Sequence, residues 1–201
     1  MLRVQVKCAG VSPLLMARMS DETLEELRTG VRQPIQKDRP IQAVAKEKLY
    51  TDVDDKTIGI PVEMLFASLR EAGRGVKLEG MKKVSTAEGT VLPAFLTICD
   101  PFLPLTNQEW VVDKRRGNMQ NGGKNTAVCV VRPKFIKWGF EVTIELDEKQ
   151  FGADNCRKLF DLAGSRQGLG SFRPNKGGTF GRFRVVEWES KKIEDDVEEA
   201  A

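Results

Sequence analysis

One segment near the C-terminus, Gly164–Arg184, constrains the fold of this chain more than any other. Its 21 residues include six glycines, five basic residues, three phenylalanines (Phe172, Phe180, Phe183) and no acid. Glycine at that density sustains neither helix nor strand, while it permits positive φ and close backbone approach. The flanks are regular. Asp147–Ala163 reads as a helix with Phe151, Cys156, Leu159, Phe160 and Ala163 inward, and Phe183–Trp188 reads as a strand. A loop must therefore join a helix to a last strand. Free N–H groups in such loops form anion-binding concavities, and phenylalanine faces suit stacked bases. This makes Gly168, Gly170, Gly177, Gly178 and Gly181, with Arg166, Arg173, Lys176 and Arg182, candidate nucleic-acid contacts. The alternative is a glycine turn that serves packing alone. The segment is not a P-loop, since no Gly-Lys-Ser/Thr follows at the required spacing. It is not a Rossmann turn either, because a helix precedes it and Arg173 stands where a glycine is needed.

The rest of the chain alternates strand and helix signals. Leu2, Val4, Val6 and Cys8 alternate with Arg3, Gln5 and Lys7, the period of a half-buried strand. Ser20–Gly30 predicts a short helix with Ser20 as N-cap and Gly30 as terminator. Val31–Pro40 reads as a polar loop and Ile41–Leu49 as helical. Asp52–Asp55 reads as a turn, and Pro61 opens a helix over Val62–Ala72 that Gly73 and Gly75 end. Val91–Ile98, Glu109–Asp113, Ala127–Arg132 and Phe135–Leu146 read as strands, the last two joined around Pro133. Lys114–Lys124 reads as a second basic, acid-free glycine loop, making Lys114, Arg115, Arg116 and Lys124 candidate contacts or a solvated hairpin tip. Arg32, Lys37, Arg39 and Arg70 complete the candidate set. The order strand, insertion, helix, strands, helix, strand predicts an α+β, ferredoxin-like core with a large insertion after the first strand.

Charge and missing residue types narrow the function. The formal charge of +3 hides a segregation, because Glu187–Ala201 holds seven acids and two lysines and leaves +8 on residues 1–186. A basic body attracts phosphate backbones. Residues 1–189 are expected to form one nucleic-acid-binding domain, followed by an acidic, disordered tail over 190–201 that solubilises the protein or competes for its basic surface. The chain has no histidine, which excludes a histidine-dependent ribonuclease, a Ser-His-Asp hydrolase and histidine-ligated metal chemistry. Cys8, Cys99, Cys129 and Cys156 show no CxxC spacing and read as free thiols of a reducing, cytoplasmic compartment. No cofactor, metal or catalytic residue is expected. A metal-dependent nuclease using Asp38 or Asp52, Asp54 and Asp55 is the enzymatic alternative.

Three stretches together resemble a known family. They are the first strand running into Gly10-Val-Ser-Pro-Leu-Leu15, the stretch Ile58–Arg70, and the glycine loop before a last strand. The chain resembles the RAMP (repeat-associated mysterious protein) superfamily, which includes backbone subunits of CRISPR effector complexes. Ile60, Pro61, Leu65, Ala67 or Ser68, Leu69 and Arg70 match the motif that opens the first core helix there. Val62 and Glu63 replace its Gly-Ser, and Phe66 replaces a basic residue. Gly168, Gly170, Gly177, Gly178, Gly181 and Arg182 correspond to the family's glycine-rich loop. The resemblance implies a ferredoxin-like or RRM-like fold, single-stranded RNA as partner, a part in antiviral defence, and self-association along the strand with other effector subunits nearby. The cutting branch of the family relies on histidine, so it implies a binder. Other readings are a mobile-element single-stranded-DNA-binding or annealing protein, and a protein-only adaptor or inhibitor mimicking a backbone subunit.

Overall fold

The alternation in the first strand places Leu2, Val4, Val6 and Cys8 on one face of β1 (Leu2–Gly10), and all four are buried. In the computed structural model, which describes residues 1–31, 38–54, 56–78, 82–121 and 123–193, β1 is an inner strand of an antiparallel four-stranded sheet. Between β1 and the first core helix lie β2 (Leu14–Leu15), α1 (Asp21–Thr29), α2 (Ile41–Lys46) and β3 (Gly59–Pro61). This is the large insertion expected after the first strand. The core resumes with α3 (Val62–Ala72) and β4 (Leu96–Ile98). A second excursion holds β5 (Phe102–Pro104), β6 (Val111–Asn121) and β7 (Lys124–Phe135). The core then closes with β8 (Gly139–Leu146), α4 (Ala153–Leu162) and β9 (Phe183–Lys192).

The sheet order is β4-β8-β1-β9. With one helix before β4 and one before β9, this is the ferredoxin-like βαββαβ arrangement. Register follows from the period-2 pattern. Val4 faces Ile144, Val6 faces Val142 and Cys8 faces Phe140, so both strands bury the same side under α3 and α4. The Phe160 ring of α4 meets Trp188 of β9 edge-on at 5.8 Å. Phe140 and Phe183 meet similarly at 5.5 Å, next to buried Trp138.

Five sequence expectations need correction. Lys114–Lys124 is not a loop: its residues up to Asn121 lie in β6, paired with β7 from Asn121↔Lys124 to Val111↔Lys134. Pro133 does not separate two strands but lies within β7, opposite Val112. Pro93, which lacks an N–H, sits in a 3₁₀ turn over Leu92–Ala94, so β4 is shorter than Val91–Ile98. The last helix begins at Ala153 and not at Asp147, whose carboxylate instead accepts from the Lys149 N–H and the Gln150 amide. Finally, β9 takes in Ser190–Lys192, which the sequence placed in the tail, while residues 194–201 lie outside the described residues.

The Ser20 cap forms as expected, with its Oγ accepting from the Thr23 N–H at 3.3 Å and Gly30 closing α1 in the left-handed region. No residue of α1 is buried. Ser20→Ala should therefore cost about 1 kcal/mol locally. We expect faster amide exchange over residues 21–29 with the global Tm within about 2 °C.

Candidate nucleic-acid interface

Cooperating backbone contacts build the glycine loop. After α4 the chain widens into one π-turn, Ala163–Gln167, then reverses at Gly168. Gly168, Gly170, Gly177 and Gly181 all have φ near +70°. The loop's N–H groups are largely consumed within the protein. Leu169 donates to the Gly181 carbonyl (2.9 Å), Ser171 to Leu15 (2.7 Å), Gly181 to Pro13 (2.8 Å) and Gly178 to Arg173 (3.0 Å). The Gly170 N–H meets Met64 Sδ at 3.2 Å, and the Arg182 N–H meets Ser12 Oγ at 3.0 Å. Two close approaches require glycine outright. A Cβ at Gly178 would lie 1.7 Å from the Phe172 carbonyl oxygen, and one at Gly181 would lie 1.8 Å from that of Leu169. Apart from Gly170 on Met64 Sδ, the N–H partners of the loop's left-handed glycines and Gly178 are protein carbonyls, and the expected concavity of free N–H groups is largely filled from within.

The loop's side chains serve separate ends. Arg166, Lys176 and Arg182 are exposed and form no ion pair among the described residues. Arg173 is half-buried, its Nη1 donating to the Gly170 carbonyl at 2.8 Å, so it braces the loop. Of the phenylalanines, Phe183 is core, Phe180 is half-buried and Phe172 is 46% exposed.

The β6–β7 hairpin meets this loop directly. Arg115 forms a bidentate pair with buried Asp113 (2.7 and 2.5 Å) and lies 4.8 Å over the Phe180 ring. That hydrogen bonding raises the Arg115 pKa further above its ordinary value. Its charge is thereby spent on joining hairpin to loop. Lys114 and Arg116, on the opposite strand face, are exposed and unpaired among the described residues. Of Lys124, the backbone pairs with Asn121.

The remaining candidates do not join this surface as free cations. Arg39 pairs with Glu47 and, at 3.8 Å, with Glu22. Arg70 lies 3.6 Å from Glu71 at the end of α3. Lys48, outside the candidate set, donates to the Val131 carbonyl at 2.6 Å, and burial lowers its pKa. Arg32, Lys37 and Asp55 lie outside the described residues. Asp52 accepts from the Lys56 and Thr57 N–H groups, which holds its carboxyl below the ordinary value. Among the described residues no cluster of three metal-binding side chains occurs.

Sequence reasoning missed the supports of the loop. Ser68 Oγ donates to the Gly168 carbonyl at 3.2 Å, so the α3 motif holds the glycine loop with Ser68 and Met64 while Leu65 and Leu69 fill the core. It also missed Tyr50, the chain's one tyrosine, which shares a cleft with Phe172, Arg173 and Lys176. The outer sheet face is a different environment. Arg3 pairs with Glu145 at 2.6 Å, and Lys7 lies between Glu141 (3.6 Å) and Glu187 (3.3 Å). The outward positions of β1, β8 and β9 carry no aromatic ring and add negative charge, and among the described residues the one ring bordering this face is half-buried Phe102 of β5, beside Glu141, Glu187 and Glu189.

Among the described residues no helix is long and apolar enough to cross a membrane. No family model matches the chain, and no curated protein matches it in sequence. Its fold is similar to that of a chain in the cryo-EM structure of the Type III-B Cmr-beta bound to cognate target RNA, with a TM-score of 0.51 and 14% identity over 95% of this chain. This chain spans 61% of that one. The likeness is one of fold.

Proposed function

We propose that this protein is a non-catalytic binder of single-stranded RNA, several copies of which coat one strand as backbone subunits of a CRISPR-type effector complex. The observation that carries this reading is the junction of Arg115 with Phe180. It joins the glycine loop, which carries unpaired Arg166, Lys176 and Arg182 and the exposed Phe172, to the hairpin, whose other strand face carries unpaired Lys114 and Arg116. Cations that follow a backbone, interleaved with aromatic rings that accept any base, are what sequence-tolerant single-strand binding requires. The mixed, acid-rich sheet face directs RNA away from the sheet. The fold shared with a chain solved in a complex with target RNA supports the same reading.

The phosphate component has a measurable signature. Each phosphate neutralised on a single strand contributes about −0.7 to the slope of log K against log salt. Five free cations imply a slope of roughly −3 to −4 by that rule. Fluorescence anisotropy with a labelled oligoribonucleotide between 50 and 300 mM salt checks it. RNase- or DNase-sensitivity of nucleic acid copurifying with the protein decides between RNA and DNA. An affinity independent of salt overturns the proposal.

A further inference from the structure

The strangest backbone in the described residues belongs to Phe172, the one non-glycine residue with positive φ, at 54°. A bulky residue there is strained, and strain of this kind persists where surrounding structure enforces it and a function uses it. The enforcement is visible. Gly178 crosses against the Phe172 carbonyl, which also accepts the Phe180 N–H at 3.2 Å. Yet burial does not account for the ring, which is 46% exposed. Its inner neighbour is Phe180, 6.2 Å away and tilted by 48°, itself braced by the Arg115 guanidinium. Its outer side borders a cleft of about 310 Å³, between the glycine loop and the insertion after β1. Ala17 and Met64 supply apolar walls, Tyr50 and Phe172 aromatic ones, and Arg173 and Lys176 positive charge, with no carboxylate in the lining. The Tyr50 hydroxyl donates to the Ala17 carbonyl at 3.5 Å on the cleft wall, and burial raises its pKa.

We infer that this cleft seats one unpaired nucleobase against the Phe172 ring, with Lys176 on the adjoining phosphate. The inference rests on the single-strand reading above and adds a base-sized subsite to it. Its volume lies at the small end of ligand pockets. Stacking on a protein ring needs a free base face, which an intact duplex does not offer, so this subsite makes the protein discriminate against paired RNA.

The test uses a single-stranded oligoribonucleotide with 2-aminopurine at successive positions, the same sequence as a duplex, and three proteins: the parent, F172G and F172W. Glycine removes the ring and relieves the positive φ together, so F172G should match or exceed the parent in Tm. We expect F172G to bind the single strand at least about fivefold more weakly, in line with the worth of one stacked base. The salt slope should be unchanged, and the position-specific 2-aminopurine quenching lost. F172W should restore affinity and quenching. If F172G retains both parental affinity and quenching, the cleft is not a base site while single-strand binding stands. Equal affinity of the parent for the duplex also overturns the subsite. A parent that binds no RNA at any salt overturns the single-strand reading itself, and the subsite with it.

Discussion

Replacing Lys114, Arg116, Arg166, Lys176 and Arg182 together by alanine should weaken single-strand RNA binding by roughly 10²- to 10³-fold at 0.15 M salt, and flatten the salt slope towards zero. The magnitude follows from counterion release, since about 0.7 ions per contact at that salt is worth roughly fourfold in affinity. All five side chains are exposed and form no ion pair among the described residues, so the variant should fold with a stability change within about 1 kcal/mol. Arg173 and Arg115 are left out deliberately. Arg173 braces the Gly170 carbonyl, and losing Arg115 would leave buried Asp113 without its partner. Circular dichroism paired with anisotropy checks the result. A folded variant that binds within about threefold of the parent would show that the RNA lies elsewhere.

Gly181→Val should be the most damaging single substitution in the loop. The added Cβ would stand 1.8 Å from the Leu169 carbonyl oxygen, at a φ of +71° that β-branched residues do not adopt. Left-handed backbone costs about 1–2 kcal/mol and forced overpacking about 1–3 kcal/mol, so a loss of roughly 2–5 kcal/mol is expected. For a chain of this length that lowers Tm by on the order of 10 °C. The strain falls where the loop hydrogen bonds to Leu169 and Pro13, so RNA affinity should drop in the fraction that stays folded. Gly89→Ala is the contrast, because its Cβ would meet nothing within 4 Å and its φ is not positive. It should be neutral or slightly stabilising. A Gly181→Val protein as stable as the parent would mean the loop is far more yielding than its contacts imply.

The core was legible because burial writes a period into sequence. Leu2 to Cys8 and Phe140 to Leu146 alternate, and Ser20 with Gly30 marks both ends of α1. The hairpin was not legible for the converse reason. Much of β6 is polar on both faces, so Lys114–Asn121 carries no alternation, and its strand character comes from pairing with β7. Composition also misled on the glycines. Gly178 and Gly181 do signal close backbone approach, but sequence does not say whether a phosphate or a protein carbonyl approaches, and here it is the carbonyls of Phe172 and Leu169. Likewise Arg39, Arg115 and Arg173 count as cations in a composition, yet partners visible only in three dimensions withdraw them from the free set. Phe172 was one of three equivalent phenylalanines until its dihedral and exposure set it apart.

The outer strand β9 has a consequence for crowding. It runs ten residues along the rim of the sheet with no strand beyond it among the described residues. A rim of that length is a template onto which another chain could zip, and copies gathered on one RNA would meet at high local concentration. The strand is defended against this. Arg184, Glu187, Glu189, Lys191 and Lys192 punctuate it with charge of both signs, and a register shift opposite Lys7 and Cys8 interrupts its regularity. On the proposed reading of several copies on one RNA, this rim would keep neighbouring sheets from fusing into an aggregate.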